Sequence, residues 1–253
     1  MQTLAVVIIT LNEERNIERC LSSLGDLADE IIVMDAFSTD KTAAICAKYK
    51  VKFIQQAWKG YAATKNDAND LTQCDYIFSL DADEALSPEL LAEIKAEKIK
   101  GFNGVYAVNR LTNYMGKWIY HSGWFPDVKT RIFPKIGSYW SGEYVHEELI
   151  TPANLQRTNF KSVLVHYSYY SFEDHRARAD KYSYLTAQKF HAAGKKASIF
   201  KPYLSAMGRF VAMYLLKKGF LDGKMGFKIA QISALSNIVK YKALRQLQRD
   251  GKS

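Results

Sequence analysis

Cysteine is scarce in this chain: Cys20, Cys46 and Cys74 are its only three, at no paired or metal-type spacing. That excludes a disulfide framework or a thiolate metal cluster and leads us to expect free thiols in a reducing compartment, the cytoplasm. Long apolar runs are also missing. Tyr203 to Leu216 and Ile229 to Val239 come nearest, but the first is broken by Arg209 and the second is bounded by Lys228 and Lys240. Both fall short of the ~20 residues a spanning helix needs. Met1 leads into an apolar segment with no basic n-region or cleavage site, so no secretory signal is expected. Two glycine signatures are absent as well. A dehydrogenase would carry Gly-x-Gly-x-x-Gly after its first strand, and a nucleotide kinase or GTPase Gly-x-x-x-x-Gly-Lys-Ser/Thr. The tail, finally, lacks acid: residues 195–253 hold 13 Lys and Arg against 2 Asp and Glu, and supply the whole of the +9 net charge.

The 253 residues are 48% apolar, enough for one packed α/β domain with an appendage. β-branched runs at Leu4 to Thr10, Glu30 to Asp35, Val51 to Ile54 and Tyr76 to Leu80 predict four strands. The segments between them, Glu13 to Leu24, Thr39 to Tyr49 and Tyr61 to Leu71, have the lengths of crossover helices, which predicts a parallel sheet. A fourth helix is expected from Ser87-Pro88, then strands at Val105 to Asn109, Thr130 to Phe133 and Ser162 to Tyr167. Helical periodicity resumes at Phe172. Tyr203, Met207, Phe210, Val211, Tyr214 and Leu215 form one apolar stripe beside Arg209, Lys217 and Lys218.

The fourth strand runs into Ser79-Leu80-Asp81-Ala82-Asp83-Glu84, which puts carboxylates at i and i+2, on one side of an extended chain. Hard oxygen ligands there suit Mg²⁺ or Mn²⁺, and such an ion would neutralise a departing diphosphate. An acidic turn capping the next helix leaves the same letters. Thr10-Leu11-Asn12-Glu13-Glu14 and Asp35-Ala36-Phe37-Ser38-Thr39-Asp40 reach the same sheet edge, although Asn12, Ser38 or Thr39 would also serve as helix caps.

TLNEE, VMDAFSTDKT, KGYAATKNDA and SLDADE in this order resemble the second family of inverting nucleotide-sugar glycosyltransferases over roughly the first 100 residues. The resemblance implies a GT-A fold: a Rossmann-like mixed sheet flanked by helices, here with a C-terminal basic amphipathic helical extension. It divides the chain into a nucleotide-sugar half (1–100), an acceptor-side half (101–194) and the extension (195–253). It implies that Thr10, Asn12, Glu14 and Asp35 line the nucleoside pocket, that Lys65 lies near the base or phosphates, and that Asp81 and Asp83 hold ribose and metal. Lys65 on a helix otherwise reads as a solvated lysine.

Inverting transfer needs one general base at the acceptor hydroxyl. The resemblance puts it in Val145-His146-Glu147, with Glu147 as base and His146 or Glu148 in support, where a polar helix start is the alternative. His166 corresponds to a histidine that completes the metal or diphosphate site in similar enzymes, and it equally fits a hydrogen-bonded core histidine. Arg131, Arg176, Arg178 and Lys181 are further phosphate-binding candidates, since guanidinium forks suit such oxyanions, although a charged helix face explains Arg176 to Lys181 equally well. The motifs HYSYYSFED, KYS and KKGFLDG resemble a narrower branch, the lipooligosaccharide or lipopolysaccharide core β-1,4-glucosyltransferases. That branch implies a UDP-glucose donor and a lipid-linked heptose acceptor.

The basic tail is expected on an anionic membrane, at the inner face of the bacterial inner membrane, with a solvated charged face over an ordinary core stripe as the competing account. Three competing readings remain: a polyprenyl-phosphate glycosyltransferase, a sugar nucleotidyltransferase and a basic nucleic-acid-binding module. The nucleotidyltransferase would need an early glycine-rich loop, and Leu11-Asn12-Glu13-Glu14 has no glycine. The tail carries no recognisable nucleic-acid motif, so no nucleic-acid partner is expected.

Overall fold

The computed structural model describes residues 2–142 and 147–250. β1 (Leu4–Thr10), β2 (Glu30–Asp35), β3 (Lys52–Gln55) and β4 (Tyr76–Asp81) alternate with α1 (Ile17–Ser23), α2 (Thr42–Cys46) and α3 (Tyr61–Asp70). The four strands pair in parallel in the order β3-β2-β1-β4, with Thr10 opposite Asp35 and Ile9 opposite Asp81. Every residue of β1 is buried, as expected of a central parallel strand covered on both faces.

β5 (Glu84–Leu86) and α4 (Pro88–Lys100) follow. α4 starts where its letters direct: the Ser87 hydroxyl accepts from the Leu90 N–H (3.1 Å), Pro88 takes the first turn, and Lys98 and Lys100 sit in the last. Next come β6 (Val105–Tyr114), β7 (Lys117–Ile119), β8 (Val128–Pro134), β9 (Tyr139–Ser141), β10 (Glu148–Ile150) and β11 (Arg157–Tyr169). β8 joins β4 antiparallel, and the sheet continues through β6 and β11 to β5, so the whole is mixed; β9 and β10 pair separately. α5 (Phe172–Ala192), α6 (Lys201–Val211) and α7 (Gly223–Asp250) end the chain, with a π-helical turn (Ala212–Leu216) and a 3₁₀ turn (Gly219–Asp222) between the last two.

The expected first helix is shorter than its polar start suggested, because Glu13 to Asn16 form a turn in which the Glu13 carbonyl accepts from the Asn16 and Ile17 N–H groups. Neither Asn12, Ser38 nor Thr39 caps a helix; α1 and α2 begin without a side-chain cap. His166 lies inside β11, which runs three residues beyond it, rather than closing the strand.

By Cα proximity the chain forms two compact units, residues 1–110 with 127–167 and residues 111–126 with 168–253. The first is built on the sheet, with Leu4, Ile8, Phe78 and Leu80 at its centre. In the second, α7 packs on α5 and α6. A Cβ at Gly226 would lie 1.9 Å from the Gly219 carbonyl oxygen, so the start of α7 approaches the 3₁₀ turn as only glycine allows. His175 is buried here, its Nδ1 2.7 Å from the Tyr114 hydroxyl. The three cysteines are free. Among the described residues no helix is long and apolar enough to cross a membrane.

Candidate active site

β4 delivers Asp81 to the sheet edge, and there the chain turns through Ala82 and Asp83. The i, i+2 expectation of two carboxylates on one extended face therefore gives way to two carboxylates with different partners. Asp81 Oδ2 accepts from Arg131 (2.7 Å), and Oδ1 lies 3.4 Å from Lys65 Nζ. Burial works to raise the Asp81 carboxyl, but the Arg131 and Lys65 charges outweigh it and hold it well below the usual carboxylate range.

Behind Asp81 sits a buried ionic layer. Arg131 on β8 also donates to Glu84, whose side chain is fully inaccessible, and Glu84 in turn accepts from the Asp81 N–H (3.1 Å). Arg110 on β6 reaches Glu84 at 3.3 Å and Asp127 at 2.8 Å. Arg131 Nε is buried without a partner among the described residues.

Lys65, nearly inaccessible on α3, joins Asp81 to Glu147: its Nζ is 3.1 Å from Glu147 Oε1 and 4.5 Å above the Trp140 ring. Trp140 is fastened to the same helix, since the Asn66 side-chain amide donates to its carbonyl and accepts from its N–H, both at 2.8 Å. These groups open on a cavity of about 560 Å³. Lys65, Arg110, Lys129, Arg131 and Arg157 line it with Asp81, Glu147 and Glu148, and Glu84 and Asp127 pair with Arg110, Lys129 and Arg131 behind them, so the cavity offers a polyanionic ligand a row of guanidinium and ammonium donors rather than a net positive charge.

Asp83 has a different partner. Its Oδ2 is 3.1 Å from His166 Nε2, both side chains are partly accessible, and its carbonyl accepts from the Tyr167 N–H (2.9 Å). A carboxylate and an imidazole at this separation fit two ligands of a divalent cation. Asp81, committed to Lys65 and Arg131, offers no ready third. No group of three or more His, Cys, Asp or Glu side chains suited to a metal is found among the described residues.

The remaining expected site residues form a lock between two loops. The Asn12 N–H donates to the Ser38 hydroxyl and Asn12 Oδ1 accepts from the Thr39 N–H, each at 2.8 Å. The Glu14 N–H donates to Asp40, and the Lys41 N–H to Glu14, each at 3.0 Å. Asp35 is fully buried and accepts from Ser38 and from Gln55 Nε2 (3.0 Å). The buried Thr10 hydroxyl has no partner among the described residues.

Of the expected residues, then, Lys65, Asp81 and Glu147 share one cavity, Asp83 and His166 pair with each other, and Thr10, Asn12, Glu14 and Asp35 lie on or beside the lock. His146 lies outside the described residues. Arg176 and Arg178 form helix-face ion pairs with Asp180 (2.8 Å) and Asp174 (3.0 Å). Glu84 and Arg110 were not foreseen as site residues; the lone charged letter in β6, Arg110, was the available signal.

A family model described as "Glycosyl transferase family 2" matches residues 5–164. The chain is similar to an uncharacterized glycosyltransferase of Rickettsia bellii, at 28% identity over 96% of this chain and 86% of that protein. It is likewise similar to the lipopolysaccharide core biosynthesis glycosyltransferase LpsC of Rhizobium meliloti, at 29% identity over 92% of this chain and 88% of that one. Among solved structures, S. aureus TarS 1–349 matches with a TM-score of 0.47 at 16% identity, covering 99% of this chain and 91% of that chain.

Proposed function

The chain belongs to glycosyl transferase family 2, and from that premise we propose that it moves glucose from UDP-glucose, with inversion, onto a hydroxyl of a lipid-linked oligosaccharide in lipopolysaccharide core synthesis. The observation that carries this reading is Lys65 Nζ, held between Asp81 and Glu147 in a cavity also lined by Arg110, Lys129, Arg131 and Arg157. The similarity to LpsC, a lipopolysaccharide core biosynthesis glycosyltransferase, supports the core-oligosaccharide acceptor.

In this reading the donor's diphosphate meets Lys65 and Arg131, whose charges stabilise the phosphate oxygens as the sugar departs. Asp81 orients both cations. Thr10, Asn12, Glu14 and Asp35 form the nucleoside side, where the buried Thr10 hydroxyl is a ready polar contact. Asp83 and His166 would hold Mg²⁺ or Mn²⁺, which when bound supplies charge neutralisation at the leaving diphosphate. Glu147 accepts the acceptor hydroxyl's proton while that oxygen bonds to the anomeric carbon and the bond from that carbon to the diphosphate oxygen breaks. A carboxylate already fixed by Lys65 loses little freedom in reaching that position.

Calorimetry with UDP-glucose and other nucleotide sugars, with and without divalent ions, tests the donor step. UDP-glucose should bind best and need the ion, and Asp83→Ala should abolish that dependence. Glu147→Gln should keep donor binding and lose transfer by about 10²–10⁴-fold. Near-normal turnover in Glu147→Gln, or a protein indifferent to every nucleotide sugar, overturns the reading.

A further inference from the structure

Among the described residues, half of the exposed large apolar side chains lie in one stretch of the second unit: 12 of 24 fall between Ile199 and Leu235. On α6 they recur by helical turn. Tyr203, Leu204, Met207 and Val211 point outward, while Pro202 and Ala206 are buried, so the helix has one apolar face against α7 and another facing solvent. The π-helical turn extends the outward face with Leu215 and Leu216. Phe210 and Tyr214, read from sequence as part of the same stripe, instead turn onto Phe227, with ring centroids 5.7 and 5.6 Å apart. Between α6 and α7 an open slot of about 380 Å³, lined by residues including Met207, Phe210, Phe227, Leu235 and Ile238, is almost wholly apolar. A patch of this extent on a protein surface marks a binding face.

Charge decides what covers it. α6 itself carries Lys201 and Arg209, and Lys217 and Lys218 follow the π turn. Lys240 on α7 is held below its ordinary range, first by burial and then by Arg209 and Lys201, so these cations crowd one another. Both acidic groups of the tail are spoken for: Asp222 accepts from His121 and the Tyr120 N–H, and Asp250 from Gln246. A second copy of the chain would set the same positive charge against this face, whereas anionic headgroups would relieve it.

We infer that the outward face of α6 with the α6–α7 slot is a membrane-docking surface: α6 lies in the headgroup region of an anionic bilayer, its apolar side chains reach the acyl boundary, and the slot seats part of one acyl chain. This gives the lipid-borne acceptor proposed above its physical meeting place and rests on that reading only for its purpose.

Sedimentation of the full chain with phosphatidylcholine vesicles, with and without phosphatidylglycerol, tests it. Binding should require the anionic lipid and weaken with salt. Leu204→Glu/Met207→Glu should lower vesicle partition more than about tenfold, and Lys201→Gln or Arg209→Gln roughly fivefold each. All of these positions are exposed, so the variants should melt like the parent and bind UDP-glucose unchanged. A parent protein that stays in the supernatant, or a glutamate variant that still sediments, overturns the surface. So does a parent dimer in gel filtration that the glutamate pair dissolves, since a second copy would then be the occupant. Vesicle binding without donor binding would sink the transferase reading alone, and the reverse result the docking surface alone.

Discussion

In the first unit the sheet draws charge inward, with Lys65, Arg131 and Glu84 all but inaccessible; in the second the helices leave Leu204, Met207 and Leu216 at 60%, 63% and 76% exposure. Each departs from the ordinary rule of burial, but only the first opposes folding unless something compensates, because a buried charge loses its hydration whereas a side chain exposed in folded and unfolded chains alike costs folding nothing. The first unit compensates internally, by closing its charges on one another. For the second we look to a partner, because no described side chain covers the face. Stability measurements should therefore feel the first site strongly and the second hardly at all.

Arg131→Met is the sharpest way to break this contrast. It strands Glu84 beside only the 3.3 Å contact of Arg110 and frees Asp81 from its closest cation. Urea unfolding should show a loss of about 3–5 kcal/mol, whereas Leu204→Glu should stay within about 0.5 kcal/mol. Equal losses would dissolve the distinction.

Acid should separate the units next. Burial pushes His175 down to about 4 from 6.5, with the Arg178 charge adding to this and Asp174 opposing it. Above pH 6.5 both folded and unfolded chains carry it neutral and its contribution is whole. As the pH falls from 6.5 towards 4 only the unfolded chain takes up the proton, so up to about 3 kcal/mol is lost in that window. His175→Gln should flatten the slope there. Asp81 behaves differently: its depressed carboxyl contributes stability above the ordinary carboxylate value of about 4, and this is lost only as the pH drops below that. A smaller effect belongs to the first unit alone. Ser87→Ala removes the α4 cap and should lower the chemical unfolding free energy by about 1 kcal/mol.

What could be read from the letters was local. β1 to β4 announce themselves as β-branched runs, and Ser87-Pro88 opens α4 where expected, because propensity and capping act within a few residues. β5, β7, β9 and β10 went unforeseen, since three residues are too few to display an alternation. Lys65 and Asp81 were expected in the site through motif order, and Glu147 through the resemblance of Val145-His146-Glu147. That Arg131 would anchor Asp81 depended on β8 running antiparallel to β4, with Phe133 opposite Ile77, a register no local pattern encodes. The outward face of α6 was legible only as a stripe. Which part of it would be covered was decided by α7, which packs against it from further along the chain.

The exchange of hydrogen bonds among Asn12, Glu14, Ser38, Thr39, Asp40 and Lys41 makes two chain segments, some 25 residues apart in sequence, a single mechanical piece. Asn12→Ala removes the acceptor of the Thr39 N–H and Ser38→Ala that of the Asn12 N–H, so each loosens the same joint and the two should fail to sum in a double-mutant cycle. Drift in one loop would then be tolerated only when the other drifts with it, and transplanting either alone into a related scaffold would carry half a joint.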